Sequence, residues 1–192
     1  MPLNVPILLT WLRIVLIPLL VSAFYFPDSW LTASGRNTAA TLIFIIAALT
    51  DWLDGYLARR WQQTSAFGAF LDPVADKLMV AVALIVLVQL GRLDAILAAI
   101  IIGREITISA LREWMAQIGA HRSVAVSMIG KIKTTAQMLA IPLLLYDPDW
   151  NNVAIAELGT WLIYIAAVLT LWSMGYYMRM AWPHLSAADR RR

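Results

Sequence analysis

The stretch DWLDGYLARRWQQTSAFGAFLDPVADK, residues 51–77, decides how the rest of this chain is read. It carries four aspartates, Asp51, Asp54, Asp72 and Asp76, at the edges of two long apolar runs. A carboxylate costs free energy in such surroundings unless something compensates its charge. Asp51 and Asp54 are three apart and Asp72 and Asp76 four apart, spacings that put each pair on one face of a helix. The segment between them is short, so the two helices form a hairpin and their acidic faces converge. Four converging carboxylates repel one another unless cations neutralise them. Oxygen-only ligands favour Mg²⁺, Mn²⁺ or Ca²⁺ over zinc or copper, and four of them suffice for two ions about 3.5–4 Å apart, a spacing used in phosphoryl chemistry.

Small residues accompany the acids. Gly55 follows Asp54, Ala58 lies one turn later, and Gly68 lies one turn before Asp72; such residues let helices and a bulky ligand approach closely. Arg59 offers a fork for a phosphate, and Thr64 and Ser65 offer hydroxyls. The plainer reading makes the aspartates interfacial charges paired with Arg59, Arg60 and Lys77. That serves for one or two carboxylates, but less well for four in two helical pairs flanked by glycines, because intramembrane ionisable residues mark functional sites by default.

The composition sets the surroundings. Of 192 residues, 61% are hydrophobic and 14% charged, against about half and a quarter in soluble domains; the mean hydropathy is +0.72. No composition break or linker divides the chain, so residues 1–192 are read as one membrane-embedded domain, with a basic tail from about residue 179. There is no cysteine, hence no disulfide framework, thiolate metal site or cysteine nucleophile. The pI near 9.4 reflects loop charge and attraction to anionic membrane lipids rather than nucleic-acid binding, since the cations are not gathered on a soluble face. MPLNVPILLTWLRIVLIPLL at the start has no cation before its apolar run and is interrupted by Arg13, so it is expected to stay as a first helix rather than act as a signal peptide.

Six segments approach the roughly 20 apolar residues that a spanning helix needs: 7–26, 38–57, 70–90, 93–111, 129–146 and 153–177. Arg59 and Arg60, then Arg112, Arg122, Lys131 and Lys133, and finally Arg179 and Arg190 to Arg192 fall on one side of this alternation. The opposite loops hold only Arg36 and Arg92. The positive-inside rule therefore predicts an all-α, multi-pass protein with both termini and the aspartates at the cytoplasmic face. Trp30, Trp61, Trp114, Trp150 and Trp182 near helix ends fit an aromatic belt.

The spacing Asp51-x2-Asp54-Gly55-x2-Ala58-Arg59-x8-Gly68-x3-Asp72-x3-Asp76 resembles the full signature of the CDP-alcohol phosphatidyltransferase family. The resemblance implies six transmembrane helices in the CDP-alcohol phosphotransferase fold, a homodimer, and two divalent cations, Mg²⁺ or Mn²⁺, held by the aspartates. It further implies a CDP-activated lipid attacked by an alcohol at its lipid-side phosphorus, with CMP leaving. By position, Asp51, Asp54 and Asp72 would be metal ligands and Asp76 both ligand and general base. Gly55, Ala58, Arg59, Ser65 and Gly68 would line the cytidine and diphosphate site.

Other segments bear on the acceptor. In IIGREITISALREW, Arg104 and Glu105 interrupt an apolar helix, and Glu105, Ser109 and Arg112 share a face. GKIKTTAQM brings Lys131, Lys133, Thr134, Thr135 and Gln137 to the same membrane face. Several cations beside a metal site suit an acceptor bearing a phosphate; ordinary positive-inside charge or, for Arg104, an internal ion pair is the plainer alternative. These segments and NVPILLTWLR resemble the bacterial branch of the family that uses CDP-diacylglycerol and glycerol 3-phosphate in the inner membrane. That likeness would bring Asn4, Thr10 and Arg13 to the site, although an ordinary helix start with a snorkelling arginine also accounts for them. Serine or inositol phosphate as acceptor, an intramembrane prenyltransferase, and a cation-coupled transporter are the competing readings. The transporter is disfavoured because the carboxylates cluster at one face and no inverted repeat surrounds them.

Overall fold

The computed structural model describes residues 5–61, 66–118, 128–146 and 153–189. These residues form six α-helices and no strand: α1 (Val5–Ser22), α2 (Ala33–Trp61), α3 (Ala66–Gln89), α4 (Ala95–Gln117), α5 (Met128–Tyr146) and α6 (Val153–Asp189), with one 3₁₀ turn at Ala23–Tyr25. In hydrocarbon a chain must satisfy its own backbone hydrogen bonds, and a helix does so within one segment. Pro18, Pro73 and Pro142 lie inside helices, as membrane helices tolerate when neighbours cover the freed carbonyls.

The helix ends follow local chemistry. Gly91, at φ 70°, takes the left-handed conformation that closes α3: its N–H donates to the Val88 carbonyl and that of Arg92 to the Leu87 carbonyl, a glycine-terminated stop. Asp94 then caps α4 by accepting from the Ile96 N–H at 2.7 Å. The second helix starts earlier than its apolar run, at Ala33 rather than residue 38. The Thr32 hydroxyl accepts from the Gly35 N–H at 3.2 Å, and Arg36 pairs with Asp28, so the polar first turn is held by its own contacts. The sixth helix continues through the start of the basic tail to Asp189.

The helices close into a ring in the order α1–α2–α5–α6–α4–α3, each packed on the next and α3 packed on α1, with α3 also touching α2 and α5. One apolar core, including Leu20, Phe44, Leu84, Leu87, Ile101, Ile141, Leu145 and Ile163, runs through it. At the α5–α6 contact a Cβ on Gly159 would meet Leu144 at 3.0 Å. Only a glycine allows that approach without displacement.

The surface is inverted relative to a soluble bundle. Leu8, Val15, Leu49, Trp52, Ile85, Trp161, Val168 and Trp172 are exposed, whereas Arg13, Asp54, Arg104, Lys133, Gln137 and Ser173 are buried. Apolar residues outward and ionisable residues inward is the arrangement lipid demands. By length and composition Ile7–Tyr25, Ala33–Ala58 and Ala154–Trp182 can cross a membrane, and α5 holds a shorter apolar stretch, Ile132–Tyr146. Any part of α3 long enough to span includes Asp72, Asp76 and Lys77, and any such part of α4 includes Arg104, Glu105 and Arg112. It is this charge, not a lack of apolar residues, that sets α3 and α4 apart from the other spans.

Candidate active site

All six helices send polar side chains to one end of the ring. Thr10 and Arg13 come from the start of α1, Asp51 and Asp54 from the end of α2, and Asp72, Asp76 and Lys77 from the start of α3. Arg104, Glu105, Ser109 and Arg112 follow on α4, Lys133 on α5, and Ser173 and Tyr177 on α6. The up-and-down course of the chain produces this convergence, since it returns alternate helix ends to the same level.

The acidic half is organised about Arg13. Its side chain is only 1% exposed and pairs through Nη1 with Asp51 at 2.8 Å and through Nη2 with Asp54. Thr10, one turn earlier, donates from its hydroxyl to Asp72 Oδ1 at 2.5 Å. Asp54 is buried, whereas Asp51 faces outward with a side chain 44% exposed. Asp54 lies within electrostatic reach of both Asp51 and Asp72, and Asp76 within reach of Asp51, Arg13, Glu105 and Lys77. Below them Arg13 and Asp76 line a cavity of about 10 Å³ together with Phe44, Ala47, Ala48, Met79, Val80 and Met138. Gly68 is buried, while Gly55 and Ala58 are half-buried.

Among the described residues no three acids already surround a single point. The carboxylates are drawn instead to the donors of Arg13 and Thr10, because a buried carboxylate needs a donor or cation at its oxygens. The donor set nonetheless fits hard divalent cations. It is made of carboxylate oxygens alone, on two helices whose ends face each other.

The second half is cationic. Lys133, 2% exposed, donates to Glu105 Oε2 at 2.6 Å. Arg104, also buried, reaches the same oxygen from Nη1 at 3.3 Å and donates from Nη2 to the Ser173 hydroxyl at 3.0 Å. Arg112 donates to the Tyr177 hydroxyl at 3.2 Å, and Lys77 donates to Ser109. Lys133 lies within electrostatic reach of both arginines. Lys133 and Arg104 thus share the single carboxylate of Glu105, with Lys77 also within its electrostatic reach.

Of the residues singled out in the sequence, Thr10, Arg13, Asp51, Asp54, Asp72, Asp76, Arg104, Arg112 and Lys133 come together at this end, with Gly55, Ala58 and Gly68 on the same helix ends. Asn4 and Ser65 lie outside the described residues, as do the side chains of Arg59 and Lys131. The aspartates pair with Arg13 of the first helix, while the neighbouring Lys77 turns to Ser109. Sequence reading passed over Ser173 and Tyr177. The available signal was a polar stripe, Thr170, Ser173 and Tyr177, at helical spacing inside an apolar helix.

Comparison with known proteins bears on the whole chain. The sequence model of the family described as CDP-alcohol phosphatidyltransferase matches residues 3–172. A Yersinia enterocolitica protein is 54% identical over 187 residues, covering 96% of this chain and 98% of the relative. A Sodalis glossinidius protein is 54% identical and a Shigella flexneri protein 52% identical, each over 183 residues, covering 94% of this chain and 96% of the relative. All three bear the name CDP-diacylglycerol–glycerol-3-phosphate 3-phosphatidyltransferase.

Proposed function

The chain belongs to the CDP-alcohol phosphatidyltransferase family, and from that premise we propose that it transfers the phosphatidyl group of CDP-diacylglycerol to glycerol 3-phosphate, giving phosphatidylglycerophosphate and CMP. The observation that carries this reading is the pairing, at one end of the helix ring, of a carboxylate cluster with a cationic cluster in which Arg104 and Lys133 share the one acid Glu105 and Arg112, within electrostatic reach of Lys133, turns to Tyr177. A neutral acceptor such as serine would leave that excess of buried positive charge without an anion to meet it.

Asp51, Asp54, Asp72 and Asp76 would hold two divalent cations, Mg²⁺ or Mn²⁺. When bound, these screen the diphosphate and stabilise the charge that develops on departing CMP. The remaining roles belong to side chains. Arg104, Arg112 and Lys133, with Lys131 from the same turn of α5, hold the acceptor's phosphate. Gly55, Ala58 and Gly68, with Arg59 and Ser65, leave room for and bind the cytidine and diphosphate. Asp76 stands between the two halves, within reach of both Asp51 and Glu105, where a base for the acceptor hydroxyl is needed. The hydroxyl oxygen forms a bond to the lipid-side phosphorus as its proton passes to Asp76, and the bond from that phosphorus to the oxygen of CMP breaks. A positioned base of this kind contributes about 10²–10⁴ in rate. Thr10 and Arg13 orient Asp72, Asp51 and Asp54 from the first helix.

The basic loops, by the positive-inside rule, support a cytoplasmic position for this end of the ring in a bacterial inner membrane, where a water-soluble acceptor can reach it. Membership of the family supports a homodimer as the working state. CMP release by purified protein in detergent tests the reading, with CDP-diacylglycerol, Mg²⁺ or Mn²⁺, and glycerol 3-phosphate, serine or inositol phosphate supplied in turn. Release with glycerol 3-phosphate alone is expected. Release only with serine or inositol phosphate would retain the family and refute the acceptor.

A further inference from the structure

Tyr177 is fully buried, at 0% exposure, on the face of α6 that looks toward α4. Two guanidiniums lie against its ring, Arg112 at 5.1 Å and Arg104 at 5.9 Å from the centroid. The hydroxyl of the same tyrosine accepts from Arg112 Nη2 at 3.2 Å. One turn earlier on α6, the Ser173 hydroxyl accepts from Arg104 Nη2 at 3.0 Å and itself donates to the Thr170 carbonyl at 3.0 Å. Two like charges held this close in a buried site repel, and a ring face with its negative quadrupole offsets part of that repulsion without neutralising either charge. A carboxylate at this position would neutralise them and close the site to an anion.

Both arginines also keep a buried Nε–H that has no hydrogen-bond partner among the described residues. A buried donor left unpaired is costly, and a multi-oxygen anion carries enough acceptors for two such donors on arginines within electrostatic reach of Lys133.

We propose that Tyr177, with Ser173, is a positioning residue for the acceptor: it holds Arg104 and Arg112 in register as one fork for a phosphate group. The inference deepens the reading above, on which the identity of the acceptor rests. Tyr177 touches no reacting atom in this scheme and acts through the two arginines. It also packs with Ile108, Met115 and Ala181, so a purely structural role is the competing explanation, and the test must separate the two.

The test compares wild type, Tyr177→Phe and Tyr177→Leu in detergent, using steady-state kinetics with both substrates varied and direct titration with inorganic phosphate. Tyr177→Leu removes ring and hydroxyl. It is expected to raise the glycerol 3-phosphate KM about tenfold and to weaken phosphate binding by a similar factor, with the CDP-diacylglycerol KM within about twofold. Tyr177→Phe keeps the ring and should recover most of that loss, ending about threefold above wild type. A Leu variant whose phosphate affinity and acceptor KM are unchanged overturns the proposal. So does one whose two KM values rise together, since lost packing has no reason to single out the acceptor. If the Leu variant does not fold, Phe and Ser173→Ala decide by the same two readouts, and no change in either variant is fatal. If wild type releases no CMP with glycerol 3-phosphate, the function reading fails on its own. The phosphate titration then still judges the clamp: weaker binding in the variants supports it, and equal or undetectable binding throughout refutes it.

Discussion

The two halves of the site solve opposite problems. On the α2–α3 side, acids gather and one buried arginine and one threonine hydroxyl from α1 answer them. On the α4–α6 side, bases gather and one shared glutamate and an aromatic ring answer them. The acidic half has compact oxygen donors suited to metal ions, and one of them, Asp51, is partly exposed. The cationic half keeps net positive charge after all its internal pairs are made. A site that must bring a diphosphate and a second anion together needs both kinds of incomplete neutralisation, and here the two meet at Asp76 and Lys77.

Substitutions can break this contrast, and the largest effect is expected where the halves meet. Asp76→Asn should lower kcat about a thousandfold while CDP-diacylglycerol binding largely survives. Near-normal turnover by a folded variant would remove Asp76 from the role of base. On the acidic side, Asp51→Asn and Asp72→Asn should shift the Mg²⁺ dependence of turnover about tenfold or more to higher concentration, because each loses a charged ligand. Superimposable metal titrations would exclude both as ligands. The cationic side should respond differently: Arg104→Ala and Lys133→Ala are expected to raise the acceptor KM by about tenfold with little change in the CDP-diacylglycerol KM. The reverse pattern would move these residues to the nucleotide. Smallest in turnover, and most telling for the comparison, is Arg13→Gln. It leaves Asp54 buried beside other carboxylates, so thermal stability should fall by several degrees in chelator and by less in Mg²⁺. An equal loss in both conditions would show that Arg13 and a divalent cation do not serve the same charges.

The acidic half was legible because its information is local. Asp51 with Asp54, and Asp72 with Asp76, occupy single helix faces separated by one short connection, so helical periodicity alone brings them together. The six helices were legible for a similar reason, since a run of apolar residues is its own signal. Their boundaries were less so: α2 gains a polar first turn because Thr32 and Arg36 find partners. The partner of the aspartates was harder. Arg13 reads equally well as a snorkelling residue, and only the packing of α1 on α2 and α3 turns it inward. Tyr177 was not legible at all. One more aromatic in a membrane helix carries no mark of its function, and its role depends on the α4–α6 contact across 65 residues of sequence.

The closed ring bears on how the protein is made. The aspartates, Arg13 and Thr10 are in place once α1 to α3 have entered the membrane, but Ser173 and Tyr177 arrive on α6, which also packs on both α4 and α5. A nascent chain therefore carries a charged but incomplete centre through most of its insertion. In the scheme proposed above the arginine clamp is completed by the sixth helix, so a chain interrupted before α6 would lack that clamp and the packing partner of both α4 and α5.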